Sequence, residues 1–160
     1  MQLNFNLNNN TPVNLINFDN KSKELDFLPD DCIITDIETT GLNPLYDLII
    51  EISALKIINN KIEDEFSRLI KINKPIPYFI TKLTGIDDSM LQYEDEQNKV
   101  LFVYCEFAGY LPVCGHNVKF DLSFINSALK KEFSLPLKND FADTILFAKK
   151  AYPNLNSYIN

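Results

Sequence analysis

The chain has 160 residues, 46% of them hydrophobic, 12% aromatic and 23% charged. That length suits one domain around one core, the apolar fraction is too high for a disordered chain, and the apolar runs are too interrupted to span a bilayer. Fifteen basic against 22 acidic side chains give a net charge of −7, which argues against the broad basic surface that holds duplex DNA nonspecifically.

The start, Met1 to Asn10, has neither a basic segment nor a continuous apolar one, so no secretory signal is expected. Asparagine is dense over the first twenty residues; Leu3, Phe5 and Leu7 alternate with polar residues as a short strand would. Residues 1–28 read as an Asn-rich tail or extra edge segment, and 29–160 as the domain proper. Pro29-Asp30-Asp31 is a turn, after which Cys32-Ile33-Ile34 enters the core as a buried strand. Asp47 to Ile58 is a second β-rich run, broken as an apolar stretch by Glu51 and Lys56, and Asn59-Asn60 turns it into a third strand, Lys61 to Ile72. Lys74-Pro75-Ile76-Pro77 closes that segment. Tyr93 to Tyr110 reads as a helix with Glu94, Asp95 and Glu96 in its first turn. Leu111 to Cys114 is a short strand, and Leu122, Ile125, Leu129 and Phe133 recur at helical spacing. Phe141-Ala142 is a brief strand and Thr144 to Ala151 a last helix. A meander followed by alternating strands and helices predicts an α/β fold on a mixed sheet. Cys32, Cys105 and Cys114 form no C-x-x-C pair and read as small buried hydrophobes of a reduced, cytoplasmic protein with no membrane partner.

Asp36-Ile37-Glu38 closes the first strand and runs into Thr39-Thr40-Gly41. Residues two apart in a strand share a face, so Asp36 and Glu38 point together. Either the two acids are solvated at a strand end, or a hard divalent cation with oxygen ligands lies between them. Gly41 permits close backbone approach by a ligand or simply a tight turn. Cys114 to Asp121 leaves a strand and opens a helix, placing Asp121 in a first turn, where the dipole favours an acid in any case, and Asn117 where a cap belongs. Both acidic segments fall at carboxyl ends of strands, where α/β sites gather.

D-I-E-T-T-G, I-T-K-L-T-G-I-D and G-H-N-V-K-F-D, in that order, resemble the DnaQ-like DEDD 3′–5′ exonucleases, from Asp31 to the end of the chain. The resemblance implies a ribonuclease-H-like sheet of about five strands flanked by helices. By it, Asp36, Glu38 and Asp121 match three of four catalytic, metal-binding carboxylates. Thr39, Thr40 and Gly41 match the loop receiving the terminal nucleotide, Thr84-Gly85 lies beside the substrate cleft, and Asn117 belongs to the second motif. The implied reaction is two-metal phosphodiester hydrolysis with Mg2+ or Mn2+. Its implied substrates are single-stranded or frayed 3′ ends of DNA, with RNA also compatible, in proofreading or repair beside a polymerase or helicase partner. The strand is held by backbone amides and apolar wedging more than by a basic surface.

The family also carries H-x4-D or Y-x3-D near its carboxyl end, supplying the general base and fourth carboxylate. Tyr152 has Asn156 at that spacing, Tyr158 has no residue four places on, and the last acid, Asp143, sits in F-A-D-T as a helix cap. His116, the only histidine, falls in the second motif, where a structural role is expected. The sequence is therefore expected to lack its last catalytic helix and one metal ligand, with weak or no hydrolysis. The alternative is a non-catalytic module of the same fold that binds nucleic acid or protein.

Overall fold

The computed structural model describes residues 22–154; the Leu3–Phe5–Leu7 alternation, Asn156 and Tyr158 lie outside them. Strands β1 (Cys32–Thr39), β2 (Ile49–Ile58) and β3 (Lys61–Leu69) form an antiparallel meander, and β4 (Val113–Gly115) and β5 (Phe141–Asp143) join it in parallel. The order is β3-β2-β1-β4-β5, a mixed five-stranded sheet as the element pattern predicts. The β2–β3 turn is set by Asn59 and Asn60, both at positive φ, which the hairpin geometry demands. Asp31 accepts the Asn59 amide at 2.7 Å and the Asp30 carboxylate accepts the Asn60 side chain at 3.1 Å, so the turn before β1 clasps the hairpin tip.

Period-two alternation gives the sheet two unlike faces. Ile33, Ile37, Ile52 and Phe66 face helices α3 (Gln97–Ala108) and α4 (Val118–Phe133), burying Leu101, Tyr104, Phe124, Ile125 and Leu129 in one cluster. Inside it the Tyr104 and Thr35 hydroxyls bond each other at 2.9 Å, which satisfies two polar groups deep in the core. The other face carries Ile34, Asp36 and Glu38 on β1 and Glu51 and Ser53 on β2. Two small clusters cover its ends. At one, α1 (Tyr78–Thr84) and α2 (Asp88–Leu91) pack Ile76, Ile80, Ile86 and Leu91 on Ile50 and Leu69. At the other, Phe147 of α5 (Thr144–Ala151) and Leu25 cover Cys32, Cys114 and Ala142. Between them is an open cavity of about 370 Å³ lined by Ile34, Asp36, Ser53, Leu55, Glu65 and Ser67. Ile34 is 43% exposed there, although it stands mid-strand.

Two elements differ from the sequence reading, and the third strand, expected to reach Ile72, ends at Leu69. α3 starts at Gln97 and not at Tyr93, because the acidic segment is tied to the end of the sheet: Lys71 N donates to Asp95 O, and Lys71 pairs with Glu96 at 3.4 Å. The stretch after Lys74-Pro75 is helical, as α1 and α2, where no helix was anticipated. Residues 23–25 lie along β5 through Leu25 N to Phe141 O and Phe141 N to Lys23 O, an edge contact fastened by Lys119 to Glu24 at 2.9 Å. All three cysteines are free and buried. Among the described residues no helix is long and apolar enough to cross a membrane.

A Cβ built on Gly115 falls 2.8 Å from the Thr35 carbonyl oxygen, a backbone atom that cannot swing aside. Gly115→Ala is therefore expected to destabilise the fold by about 2 kcal/mol, measured as a lower urea midpoint at unchanged slope.

Candidate carboxylate site

β1 outruns its parallel neighbour. β4 pairs with it only through Ile33 and Ile34, after which the chain leaves the sheet for α4, and Gly115 packs close on Thr35. The Ile37 amide, beyond the reach of β4, would be a buried donor without an acceptor. Asp121, in the first turn of α4, supplies one: its Oδ1 accepts Ile37 N at 3.0 Å, and its side chain is buried. The Asp36-Ile37-Glu38 strand end and a residue more than eighty positions later thus meet through one backbone hydrogen bond.

The turn that aims Asp121 is built by Asn117 and Asp143. Asn117 occupies the position before α4 at φ 59°, makes no side-chain cap, and serves through its left-handed backbone; the side-chain cap expected of it is absent. Its amide donates to Asp143 Oδ1 at 3.0 Å, and the same oxygen accepts Ile145 N at 3.0 Å. Asp143 caps α5 as the sequence suggested and also fastens the start of α4. His116 Nδ1 lies 2.9 Å from Thr144 Oγ1, across the same junction.

Asp36 and Glu38 share the open face; Asp36 is exposed and Glu38 half-buried. Directly opposite them on β2 stand Ser53 and Glu51. The Ser53 and Ser67 hydroxyls both donate to Glu51 Oε1 at 3.1 Å, fixing a third carboxylate beside Glu38. The sequence signal for Glu51 was its interruption of an apolar run, which reads equally as a break in a strand. Electrostatics follow the crowding. Burial, then Asp36, then Glu51 push the Glu38 carboxyl up from its ordinary value. Asp121 is pushed up to about 7, chiefly by burial and further by Asp36 and Asp143, against the pull of the Ile37 hydrogen bond.

The remaining sequence-selected residues shape loops. Thr39 Oγ1 donates to Gly41 O at 2.6 Å, and Thr40 Oγ1 accepts Leu48 N at 2.9 Å, so both buried threonines brace the β1–β2 loop. Gly41 is needed because the Asp47 carboxylate lies where a Cβ would be, at 2.5 Å. Thr84 Oγ1 donates to Ile80 O at 3.0 Å and accepts Ile86 N at 3.1 Å, while Gly85, at φ 79°, ends α1. Thr84-Gly85 sits on the α1–α2 unit, which packs on Leu69, the residue directly opposite Glu51. Among the described residues no three His, Cys, Asp or Glu side chains gather closely enough to hold a metal ion. Asp36 with Glu38, and Asp121, approach one strand end from two sides without closing round it.

A family profile described as Exonuclease (RNase T) matches residues 33–160. Relatives include the DNA polymerase III PolC-type of Caldanaerobacter subterraneus subsp. tengcongensis, 44% identical over 126 residues, and that of Halalkalibacterium halodurans, 35% identical over 131. The matches span 79% and 82% of this chain but only 9% of either relative. Among solved structures, exonuclease I aligns with a TM-score of 0.70 at 17% identity, over 82% of this chain and 34% of that one. Exonuclease X in complex with 5′ overhanging duplex DNA aligns at 0.61 and 22%, over 80% and 68%. E. coli exonuclease I in complex with a dT13 oligonucleotide aligns at 0.64 and 18%, over 82% and 32%. At these identities the structures speak for the fold.

A carboxyl whose value is raised on folding supports the fold fully below its unfolded value and loses that support as pH rises through its folded value. For Asp121 that window runs from about 4 to about 7. In EDTA, the urea midpoint of the parent chain is expected to fall relative to that of Asp121→Asn between pH 5 and pH 8. A constant difference across that range would show that Asp121 titrates as an ordinary carboxylate.

Proposed function

Since the chain belongs to the DnaQ-like exonuclease family, we propose that Asp36, Glu38 and Asp121 form the reaction centre of a 3′–5′ exonuclease domain. The observation that carries this reading is the Asp121–Ile37 hydrogen bond, which brings the second acidic segment to the strand end holding the first. Three carboxylates in one neighbourhood, two of them pushed upward by burial and by the Asp36 charge, are an arrangement that a divalent cation relieves.

The donor set fits Mg2+ or Mn2+ in kind, being all oxygen and negatively charged, and falls short in number. Asp36 and Glu38 would hold the metal, with Asp121 beside Asp36. When bound, such ions lower the pKa of water and steady charge on the scissile phosphate, in the two-metal manner for which this sequence lacks one ligand. Thr39, Thr40, Gly41, Thr84, Gly85 and Asn117 serve the substrate through the backbone they shape. Phe79 and Leu83 of α1, 64% and 79% exposed, offer apolar surface on the carboxylate face of the sheet. The substrate is a single-stranded or frayed 3′ end, of DNA in preference to RNA, a reading supported by the DNA-bound complexes of similar fold. Kinship to PolC-type polymerases supports proofreading beside a polymerase, in the cytoplasm.

No H-x4-D or Y-x3-D follows β5 in these 160 residues, so the general base is not among them and trimming by them alone is expected to be slow. With 3′-labelled single-stranded DNA and Mn2+, weak trimming is expected that EDTA and Asp36→Ala both abolish. Mn2+ is likewise expected to raise the melting temperature of the parent chain at neutral pH and not that of Asp36→Ala. Robust trimming that survives Asp36→Ala would overturn the assignment. Strand binding in EDTA that survives Asp36→Ala with Glu38→Ala, without any trimming by the parent, would favour the non-catalytic module.

A further inference from the structure

A second cavity, of about 260 Å³, lies on the helix-covered side of the sheet, between the β1–β2 loop and the starts and flanks of α3 and α4. Its volume is just under the usual range for small-molecule sites and leaves room for one nucleotide-sized group. Asp36 and Glu38 stand on the opposite face of the sheet, and neither they nor Asp121 line this cavity.

We propose that this cavity binds a nucleoside phosphate, with the base on its apolar wall and the phosphate on its cationic one. The apolar wall is made by Leu45, Tyr46 and Phe124, of which Tyr46 is 74% exposed and free to lie against a planar ring. The cationic wall is made by Lys74, which follows β3, and Lys131, in the last turn of α4; among the described residues neither makes an ion pair. Gln97 adds the start of a 12-residue helix whose preceding residue, Glu96, gives no side-chain cap, although Asn98 Oδ1 accepts the Lys99 amide at 2.8 Å; the positive end of the helix dipole lies at the cavity's edge. The one carboxylate in the lining, Asp47, already accepts the Asn43 amide at 2.8 Å and is turned against Gly41. Of the neighbouring acids, Glu96 is paired with Lys71 at 3.4 Å and Asp95 with Lys99 at 3.1 Å, and Glu132 accepts from the Gln97 side chain at 3.2 Å. In a chain of net charge −7, two ammonium groups outside any ion pair among the described residues, with a helix start beside them, favour an anion in this cavity.

The same chemistry is offered by a nucleotide within a strand and by a free mononucleotide, and the test separates them. Thymidine 5′-monophosphate and an oligothymidylate strand are added in turn to the full chain in EDTA, which excludes hydrolysis. Amide shifts are read by nuclear magnetic resonance and affinities by calorimetry. Shifts are expected at Tyr46, Gln97 and Ser127, with affinity weakened about tenfold in Lys74→Gln with Lys131→Gln, in line with loss of charge-assisted contacts. Tyr46→Ala is expected to weaken both nucleotide probes and to leave inorganic phosphate unaffected. All three side chains are exposed, so the variants should keep the parent circular dichroism and melting temperature. Binding of the mononucleotide alone assigns the cavity to a released nucleotide, and binding of the strand alone to a strand in transit. Unchanged affinity in the double variant, shifts confined to the surroundings of Asp36 and Glu38, or no binding of either probe would overturn the proposal. The carboxylate centre plays no part in this experiment, so failure here and failure of the exonuclease reading are separable.

Discussion

The rest of the structure depends on an unpaired stretch of strand. β1 is the central strand, and its first half is held on both sides, but β4 ends after Gly115 and leaves the Ile37 amide to find another acceptor. A buried amide left alone costs about 1–3 kcal/mol, and Asp121 meets that cost at the expense of burying a carboxyl. One hydrogen bond therefore links stability to chemistry: the group that completes the sheet is also the acid brought to the Asp36–Glu38 strand end. Its neighbours follow from the same need. The left-handed Asn117, the Gly115 approach to Thr35 and the Asp143 brace all serve to bring α4 in at the angle that aims Asp121.

Much of this was legible in the sequence, for physical reasons that differ by element. β1 and β2 show because one buried and one open face impose a period of two, and α4 shows because Leu122, Ile125 and Leu129 keep a helical stripe on the core. α1 and α2 did not show: each is at most two turns long, and their core contacts, Ile80 and Leu91, are single residues with no period to read. The acidic segment before α3 resembled a helix start because its charges suit one, whereas tertiary pairing with Lys71 claims it. Asp36 and Glu38 stood out as charges at the end of an apolar run. Glu51 carried the same signal, but its place opposite Glu38 depends on a cross-strand register that only the folded sheet specifies.

The loop after β1 shows how one residue type can be required for reasons unlike those its motif suggests. Thr39 bonds Gly41 and Thr40 bonds Leu48, with Asp47 packed against Gly41, so the loop is braced from within. Its outer flank carries Leu45 and Tyr46, and its inner end is the strand that bears Asp36 and Glu38. A connector of this kind joins two unlike surfaces, one acidic and one cationic and apolar, on opposite faces of a single sheet.

The two borders of that sheet are guarded by different means. Beside β5, residues 23–25 satisfy the outer backbone. Among the described residues β3 has no such cover and presents Lys61, Glu63, Asp64, Glu65 and Arg68 along nine largely exposed residues. A strand approaching that border would have to desolvate charges of both signs before gaining its first backbone hydrogen bond. Growth of the sheet into a neighbouring molecule is thereby discouraged on the very side where the open cavity leaves Ile34 in contact with water. Charge along that rim does the work that a covering helix does elsewhere.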